Sequence, residues 1–246
     1  PALKKADIGI AMGLRGTQVA QQAADMILKD DKFSTILKAV EGGRVIFANI
    51  RRFVRYLLSC NISEILAIAS ASFIGLPLPI LPLQILFLNL VTDVFPALAL
   101  GFGEGGPSVM ETPPRDSDEP IVRKKDWLEI GSYGAVLTAT VLGSLNVSLS
   151  IIGFNPERAV SVSFLTLAFA QLFHVFNMRE PDSDIFINHI TKNPYIWYSL
   201  GLCGGLLLLV VYVPFLSDIL SVEPPGGLGW LIVFSFSLAP VIVGQA

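Results

Sequence analysis

The chain has 246 residues, of which 52% are hydrophobic and only 15% are charged. A soluble domain carries roughly 25% charged residues, so the composition excludes an ordinary soluble domain and indicates a protein whose main partner is membrane lipid. The net charge of −3 argues against a nucleic-acid partner, because such proteins neutralise phosphates with an excess of Lys and Arg.

Residues 1–50 differ in kind from the rest of the chain. Residues 7–12 form a short apolar run, residues 17–24 are rich in helix formers, and residues 26–28 form a second apolar run. This pattern of strand, helix and strand predicts the end of a parallel α/β domain. Because a domain usually exceeds about 50 residues, we expect the rest of its sheet upstream of residue 1.

Six apolar windows follow, each long enough for a membrane helix, which needs about 20 residues. Helical periodicity over residues 33–50 runs directly into the first window. The predicted spans lie within residues 51–246 and cover about 53–76, 81–102, 127–152, 159–178, 194–215 and 227–245. The sequence therefore predicts a mainly α fold, a polytopic six-helix transmembrane bundle preceded by a short α/β fragment.

The charges in the links between these spans predict the orientation, because Lys and Arg concentrate on the cytoplasmic side. One side of the membrane would hold Arg158 alone. The other side, predicted to be cytoplasmic, would hold Arg51, Arg52, Arg55, Arg115, Arg123, Lys124, Lys125, Arg179 and Lys192. We expect an integral multi-pass membrane protein with both ends of the chain in the cytoplasm.

Two cysteines, Cys60 and Cys203, both fall inside apolar windows. A buried free cysteine behaves as a small hydrophobic side chain. We therefore expect two buried thiols that contribute packing, and neither a disulfide nor a metal site.

Two carboxylates lie where a membrane protein tolerates them least. Glu64 is in the middle of the first apolar window, and Asp93 is in the middle of the second. A charge at the centre of a membrane helix costs about 2.5–3.5 kcal/mol on insertion scales and usually marks an ion path or a proton relay. Neither residue has a Lys or Arg partner at membrane depth in the predicted spans, so this pair is expected to bind protons or a cation.

Polar neighbours share a helix face with these carboxylates. Asn61 lies three residues before Glu64, and Asn89 and Thr92 accompany Asp93; residues three and four apart are neighbours on a helix. Together they offer the carboxylate, amide and hydroxyl oxygens that a hard cation such as Ca²⁺ prefers. Hydrogen bonding between helices is an equally open role for Asn61, Asn89 and Thr92.

Two further features extend this group. Pro96 has no N–H to bond the carbonyl of Thr92, so we expect local unwinding and a freed carbonyl, as at other intramembrane ion sites. The fourth window carries Gln171, His174 and Asn177 at spacings of three. Gln171 is a further candidate ligand, although hydrogen bonding between helices is as open for it and is favoured for His174 and Asn177.

Several stretches resemble P-type cation-transporting ATPases. Residues 1–13 resemble the segment that closes the phosphorylation domain of that family. Residues 30–36 and 51–56 are similar to its entry into the fifth transmembrane helix, 59–65 and 88–93 to the ion-binding stretches of its fifth and sixth helices, and 112–115 to the loop after the sixth. The resemblance covers nearly the whole chain and is strongest to the group that contains the calcium pumps.

The resemblance implies a fold and a ligand set. Residues 1–50 would be the end of a HAD-like phosphorylation domain with its stalk helix, and residues 51–246 the C-terminal transmembrane part of the pump. The cation ligands implied are Asn61, Glu64, Asn89, Thr92, Asp93 and Gln171. Asn89 is an amide as in the calcium pumps, which favours Ca²⁺, whereas Gln171 stands where those pumps have a glutamate.

The resemblance also implies what lies outside this sequence. No Asp-Lys-Thr-Gly motif occurs in it, so no catalytic residue is assigned here. ATP hydrolysis, with ATP and Mg²⁺, is expected only in a full-length pump that adds actuator, nucleotide-binding and phosphorylation domains. The alternative is a stand-alone, degenerate membrane bundle that acts as a scaffold or as a passive cation channel or carrier.

Overall fold

The computed structural model describes residues 1–104, 107–111, 113–116, 118–180, 183–184 and 187–245. It divides into two compact units. The first comprises Pro1–Phe47 with Gly105–Pro113, and the second comprises Ala48–Glu104 with Pro114–Ala246.

The first unit contains a small parallel sheet. Helix α1 (Ala2–Lys5) precedes strand β1 (Ile10–Met12), and helix α2 (Gln18–Ala23) connects β1 to strand β2 (Met26–Leu28). The two strands pair in parallel, as the order of strand, helix and strand predicted. The N-terminus of α2 is capped by Thr17, whose hydroxyl oxygen accepts from the third backbone N–H of the helix at 3.3 Å; such a cap satisfies a donor that the helix leaves unpaired.

The turn after β1 is held close to β2. The N–H of Gly13 donates to the carbonyl of Leu28 at 2.8 Å, and a Cβ at Gly13 would lie 2.8 Å from that same oxygen. The Asp31 carboxylate accepts from the N–H groups of Leu14 and Arg15, each at 2.9 Å. A larger residue at position 13 would therefore separate the turn from its partner strand.

The second unit is almost entirely helical. Helix α3 (Ser34–Ile74) begins in the first unit and continues into the second. The other elements are α4 (Pro82–Phe87), a π-helical turn (Leu88–Thr92), α5 (Val94–Gly101), α6 (Lys124–Asn146) with a π-helical end (Val147–Ile151), α7 (Pro156–His174) with a 3-10 end (Val175–Met178), α8 (His189–Lys192), α9 (Pro194–Tyr212), α10 (Pro214–Leu220) and α11 (Gly226–Gln245).

Six helices of the described chain are long and apolar enough to cross a membrane. They are Ser34–Ile74, Pro82–Gly101, Lys124–Ile151, Pro156–Met178, Pro194–Tyr212 and Gly226–Gly244. A membrane core offers no water to backbone groups, so helices that satisfy these groups internally are one of its two stable solutions. The protein is an integral multi-pass membrane protein with a mainly α fold.

The helices differ from the predicted windows where proline and glycine intervene. The window predicted over residues 194–215 stops at Tyr212, because Pro214 has no N–H to continue the helix and instead begins the short helix α10. Helix α3 ends at Ile74, before Gly75 with a φ of +77°. Glycine adopts this left-handed conformation without strain and commonly ends helices.

Helix α7 occupies the interior of the bundle. It packs against α6, α9 and α11, and most of its residues are fully buried. A helix that is apolar around its whole circumference is expected to be surrounded by other elements. Its Ser163 donates a 2.6 Å hydrogen bond to the carbonyl of Pro79, in the loop that precedes α4.

Helices α3 and α6 approach each other closely. A Cβ at Gly134 of α6 would lie 2.8 Å from the Cγ2 atom of Ile62 on α3. One turn further along α6, the Thr138 hydroxyl donates to the backbone carbonyl of Ser63 at 3.2 Å. Small residues of this kind allow membrane helices to pack backbone to backbone. Here they hold α6 against the residues of α3 that directly precede Glu64.

Candidate cation site

Glu64 is held by two amides from different helices. Its side chain, 4% exposed, accepts at Oε1 from Nε2 of Gln171 on α7 at 3.0 Å and at Oε2 from Nδ2 of Asn89 at 3.2 Å. Hydrogen bonds to an ionised group are stronger than neutral ones, so these two contacts hold the carboxylate firmly. The structure thus brings together Glu64, Asn89 and Gln171, three of the six residues proposed from the sequence.

Asp93 is equally buried but is held differently. Its residue is 2% exposed, and neither carboxylate oxygen has a hydrogen-bond partner within the described part of the chain. No salt bridge to Glu64 or Asp93 occurs among the described residues, although the two carboxylates are near enough to interact electrostatically. A buried charge without a partner carries a desolvation cost of several kcal/mol.

The backbone before Asp93 is widened and not unwound. Leu88–Thr92 forms a π-helical turn, in which the N–H of Asp93 donates to the carbonyl of Leu88, five residues back, at 3.1 Å. The local unwinding expected from Pro96 is therefore not found, because the backbone stays helical with this longer hydrogen-bond spacing. Single π-helical turns occur frequently at functional sites. The hydroxyl of Thr92 donates within the same turn, to the Leu88 carbonyl at 2.8 Å.

Tyr56 links the two polar helices. Its hydroxyl lies 3.2 Å from the carbonyl of Thr92 and 3.2 Å from that of Gln171. The first carbonyl lacks its helical donor because Pro96 has no N–H, and the second lacks it because the N–H of Val175 bonds to later carbonyls. The carbonyl that the sequence offered as a cation ligand thus already has a donor, which occupies one of its two lone pairs.

Asn61 takes no part in the contacts around Glu64. Its Nδ2 donates to the carbonyl of Leu57 on its own helix at 2.8 Å. The described residues show no hydrogen bond between Asn61 and the other five candidates. Its place on the helix is nevertheless one turn from Glu64, as the spacing of three predicted.

The donor set suits a hard cation. Gln171, whose Nε2 donates to Glu64, presents an Oε1 atom that has no partner among the residues described. The described chain contains no cluster of three or more His, Cys, Asp or Glu side chains that would hold a metal, as a structural zinc site would require. Carboxylate, amide and backbone oxygens are instead the ligands of Ca²⁺.

Two residues beside the site, Tyr56 and Cys60, were not assigned to it from the sequence. They precede Glu64 at spacings of four and share one face of α3 with it, and this spacing was the available signal. Both cysteines are buried and free, as predicted. Both pack within the hydrophobic core, and the Cys203 thiol also donates to the carbonyl of Val91 at 3.3 Å.

Of His174 and Asn177, only Asn177 makes the predicted hydrogen bond between helices, whereas His174 contacts other helices through its ring and its Nε2 has no hydrogen-bond partner in the described chain. Nδ2 of Asn177 donates to the carbonyl of Pro240 on α11 at 3.0 Å and lies 3.2 Å from Nδ1 of His174. The His174 ring stacks on Tyr56 at a centroid distance of 6.0 Å and meets Tyr133 edge-on at 4.6 Å. These contacts place aromatic rings on the side of the site that is nearer the start of α3.

A network of polar contacts joins the elements at this basic end of the bundle. Arg52 donates to Asn49 at 2.8 Å and to the Glu180 carboxylate at 2.6 Å. Asn49 in turn donates to the carbonyls of Gly101 and Gly103, at 3.2 and 2.6 Å. The helix that carries Glu64 is therefore tied to the end of the helix that carries Asp93.

A second group of ion pairs holds the start of α6. Arg55 pairs with Glu129, and the buried carboxylate of Asp126 accepts from the backbone N–H and Nε of Arg123, at 2.8 and 3.2 Å. The hydrogen bond to Asp126 raises the pKa of Arg123 above its ordinary value. In the same region, burial lowers the pKa of His189 to about 4, and the charge of Arg52 acts in the same direction.

The fold and the site together define a class of protein. Two carboxylates lie buried on adjacent membrane helices without a basic partner in the described chain, which is typical of proteins that move ions through membranes. Residues 77–246 match the family described as cation transporting ATPase, C-terminus. The chain belongs to this family.

Relatives with curated descriptions extend the similarity over the rest of the chain. A calcium-transporting ATPase of Bacillus subtilis (strain 168) is 38% identical over 99% of this chain and 27% of its own length. Calcium-transporting ATPase 1 of Lactococcus lactis is 39% identical over 94% and 25%, and the endoplasmic reticulum calcium ATPase srcA of Aspergillus fumigatus is 36% identical over 98% and 28%. The chain thus spans about a quarter of the length of these relatives.

Proposed function

We propose that this chain is the C-terminal membrane portion of an ATP-driven cation pump and that it binds the transported cation, Ca²⁺. The ligands proposed are Asn61, Glu64, Asn89, Thr92, Asp93 and Gln171. The observation that carries the proposal is the Asp93 carboxylate, which is buried beside Glu64 with neither oxygen paired in the described chain. A divalent cation between the two would cancel both charges.

The choice of Ca²⁺ rests on the chemistry of the donors. Carboxylate and amide oxygens from separate helices can supply the six to eight oxygen ligands that Ca²⁺ takes, with water completing the set. The names of the relatives point to the same ion. Glu64 would give one oxygen to the cation while the amides of Asn89 and Gln171 keep its position, and the unpaired Oε1 atom of Gln171 is a further donor.

The remainder of the pump is also part of the proposal. Residues 1–50 would close the phosphorylation domain, and residues 51–246 would form the cation path. In the full-length protein, actuator, nucleotide-binding and phosphorylation domains would use ATP and Mg²⁺ to drive the movement of the ion. The ATPase activity therefore belongs to the whole protein, and the contribution of this chain is the cation site.

Both ends of the chain are proposed to lie in the cytoplasm. Arg51, Arg52 and Arg55 pair with Glu119, Glu180 and Glu129 at one end of the bundle. An excess of Arg and Lys on one side is the usual mark of the cytoplasmic face. Cysteines introduced in the full-length protein test this: a membrane-impermeant maleimide added outside intact cells should label Arg158→Cys and not Lys125→Cys, and the reverse pattern would invert the topology.

ATP-dependent uptake of Ca²⁺ into proteoliposomes containing the full-length protein tests the function. Glu64→Gln should abolish uptake, because it removes one of the two charges that balance the ion. Glu223→Gln is the matched control, since this carboxylate lies in the loop between α10 and α11, and it should keep uptake. Unchanged uptake in Glu64→Gln would refute the site, and uptake that needs no ATP would point to the passive carrier.

A further inference from the structure

Cys60 occupies the centre of the face through which α3 contacts the helix of Asp93. One turn before it, Tyr56 lies 3.2 Å from the carbonyl of Thr92, and one turn after it, Glu64 accepts from Asn89 at 3.2 Å. Residues four apart lie on the same side of a helix. The two contacts run in opposite chain directions, so the fully buried Cys60, one turn before Glu64, faces the turn that follows Asn89 and leads to Asp93.

The interactions of the thiol agree with this position. Cys60 interacts electrostatically with Asp93 and with Glu64, while both oxygens of Asp93 lack a hydrogen-bond partner in the described chain. The carboxylate is thus unpaired, nine-tenths or more buried, and next to a sulfur atom. Cys203, the other thiol of this region, donates to the carbonyl of Val91 at 3.3 Å.

We propose that Cys60 and Asp93 form a second, overlapping binding site for thiophilic divalent cations, of which Cd²⁺ is the probe. The proposal rests on the proposed function, because the two cations would share Asp93. Ca²⁺ would be neutralised by the carboxylates of Glu64 and Asp93. A thiophilic cation would instead be bound by the Cys60 thiolate and the Asp93 carboxylate, whose two negative charges balance it.

The binding step is a simple exchange. The thiol of Cys60 releases its proton to solvent as the sulfur forms a bond to the cation, because a thiol that coordinates a metal is deprotonated. Soft sulfur ligands favour soft or borderline cations over Ca²⁺. Two protein ligands are too few for a resident metal centre, so the expected consequence is competition with the transported ion.

The test is a Cd²⁺ titration of the purified full-length protein, reduced and freed of metal, followed by the ultraviolet charge-transfer band of the cadmium–thiolate bond. The wild type should show a saturable band that Cys60→Ser loses. Cys203→Ser is the matched control and should keep the band. Asp93→Asn should weaken Cd²⁺ binding by roughly tenfold or more, as loss of metal-site groups does, and excess Ca²⁺ should displace Cd²⁺ from the wild type.

The outcomes separate this proposal from the calcium pump itself. A band of unchanged size and affinity in Cys60→Ser would overturn it, as would a band that Ca²⁺ fails to displace from a protein that pumps Ca²⁺. If the wild type pumps no Ca²⁺, the proposed function fails, while a band that depends on Cys60 and Asp93 would still support the thiophilic site. Serine preserves the size of the side chain, and co-elution with the wild type in size-exclusion chromatography verifies folding.

Discussion

Replacing Asp93 by Asn in the full-length protein separates charge from shape, because the two side chains have nearly the same volume. Two unit charges 4 Å apart contribute about 4 kcal/mol at an effective dielectric constant of about 20, so a divalent cation and a carboxylate contribute about 8 kcal/mol. More than half of this energy is recovered, because the amide oxygen of Asn still coordinates and the variant has no buried charge to desolvate. We therefore expect a loss of about 3 kcal/mol in Ca²⁺ binding, which is roughly a hundredfold in Kd.

This loss can be measured as a change in ligand-dependent stability. At a Ca²⁺ concentration 100 times the wild-type Kd, binding stabilises the folded state by about 2.7 kcal/mol. With an affinity lower by roughly a hundredfold, the same concentration equals Kd and stabilises Asp93→Asn by only about 0.4 kcal/mol. Thermal unfolding in detergent with and without Ca²⁺ should show a large shift for the wild type and a small one for the variant.

Asp126→Asn is the matched control, because Asp126 is also a buried aspartate, 1% exposed. Its carboxylate is paired with Arg123, so this variant should unfold more easily without Ca²⁺, by about 1–3 kcal/mol for a broken buried contact. It should keep the full Ca²⁺ shift. Asp93→Asn should show the opposite pattern, since no partner in the described chain is lost and an uncompensated charge is removed. A full Ca²⁺ shift in Asp93→Asn would refute the reasoning.

Two further predictions concern residues around the site. Tyr56→Phe removes the donor shared by the carbonyls of Thr92 and Gln171, so the folded protein should lose about 1–2 kcal/mol of stability in denaturant titration; unchanged stability would mean that water replaces the hydroxyl. The pKa of His189 is about 4 in the folded protein against an ordinary 6.5. Its contribution to the free energy of unfolding is therefore complete above pH 6.5, where the side chain is neutral in both the folded and the unfolded state. That contribution should fall as the pH drops from 6.5 towards 4. The thermal midpoint measured against pH should fall less steeply over that range in His189→Gln, and equal slopes would exclude this histidine as the cause.

Residue periodicity predicted most of the fold because each element has a local cause. The apolar windows became helices, and the runs around β1 and β2 became a parallel pair. The ends of the helices were harder to predict, since they depend on single residues such as Gly75 and Pro214. The small helix α1 and the π-helical turn Leu88–Thr92 have no distinct signature in the hydropathy pattern and were missed.

The candidate site shows why the same local reasoning finds charges more readily than their partners. Glu64 and Asp93 stand out because a carboxylate in an apolar window is costly wherever the helix packs. Which amide reaches which carboxylate depends instead on the rotation of α7 about its axis, and that rotation is fixed by packing across the whole bundle. Gln171 reaches Glu64 from 107 positions along the chain, a separation at which sequence spacing carries no geometric information.

The unequal support of the two carboxylates has a consequence for how a cation would bind. Glu64 already accepts from Asn89 and Gln171, so its position is fixed by two helices before any ion arrives. Asp93 has no such contacts in the described chain and lies beside a π-helical turn, a feature that is frequent at functional sites. A cation bound at Glu64 would therefore draw Asp93 towards it, and the movement that binding produces should be concentrated in Leu88–Thr92 and not in α3.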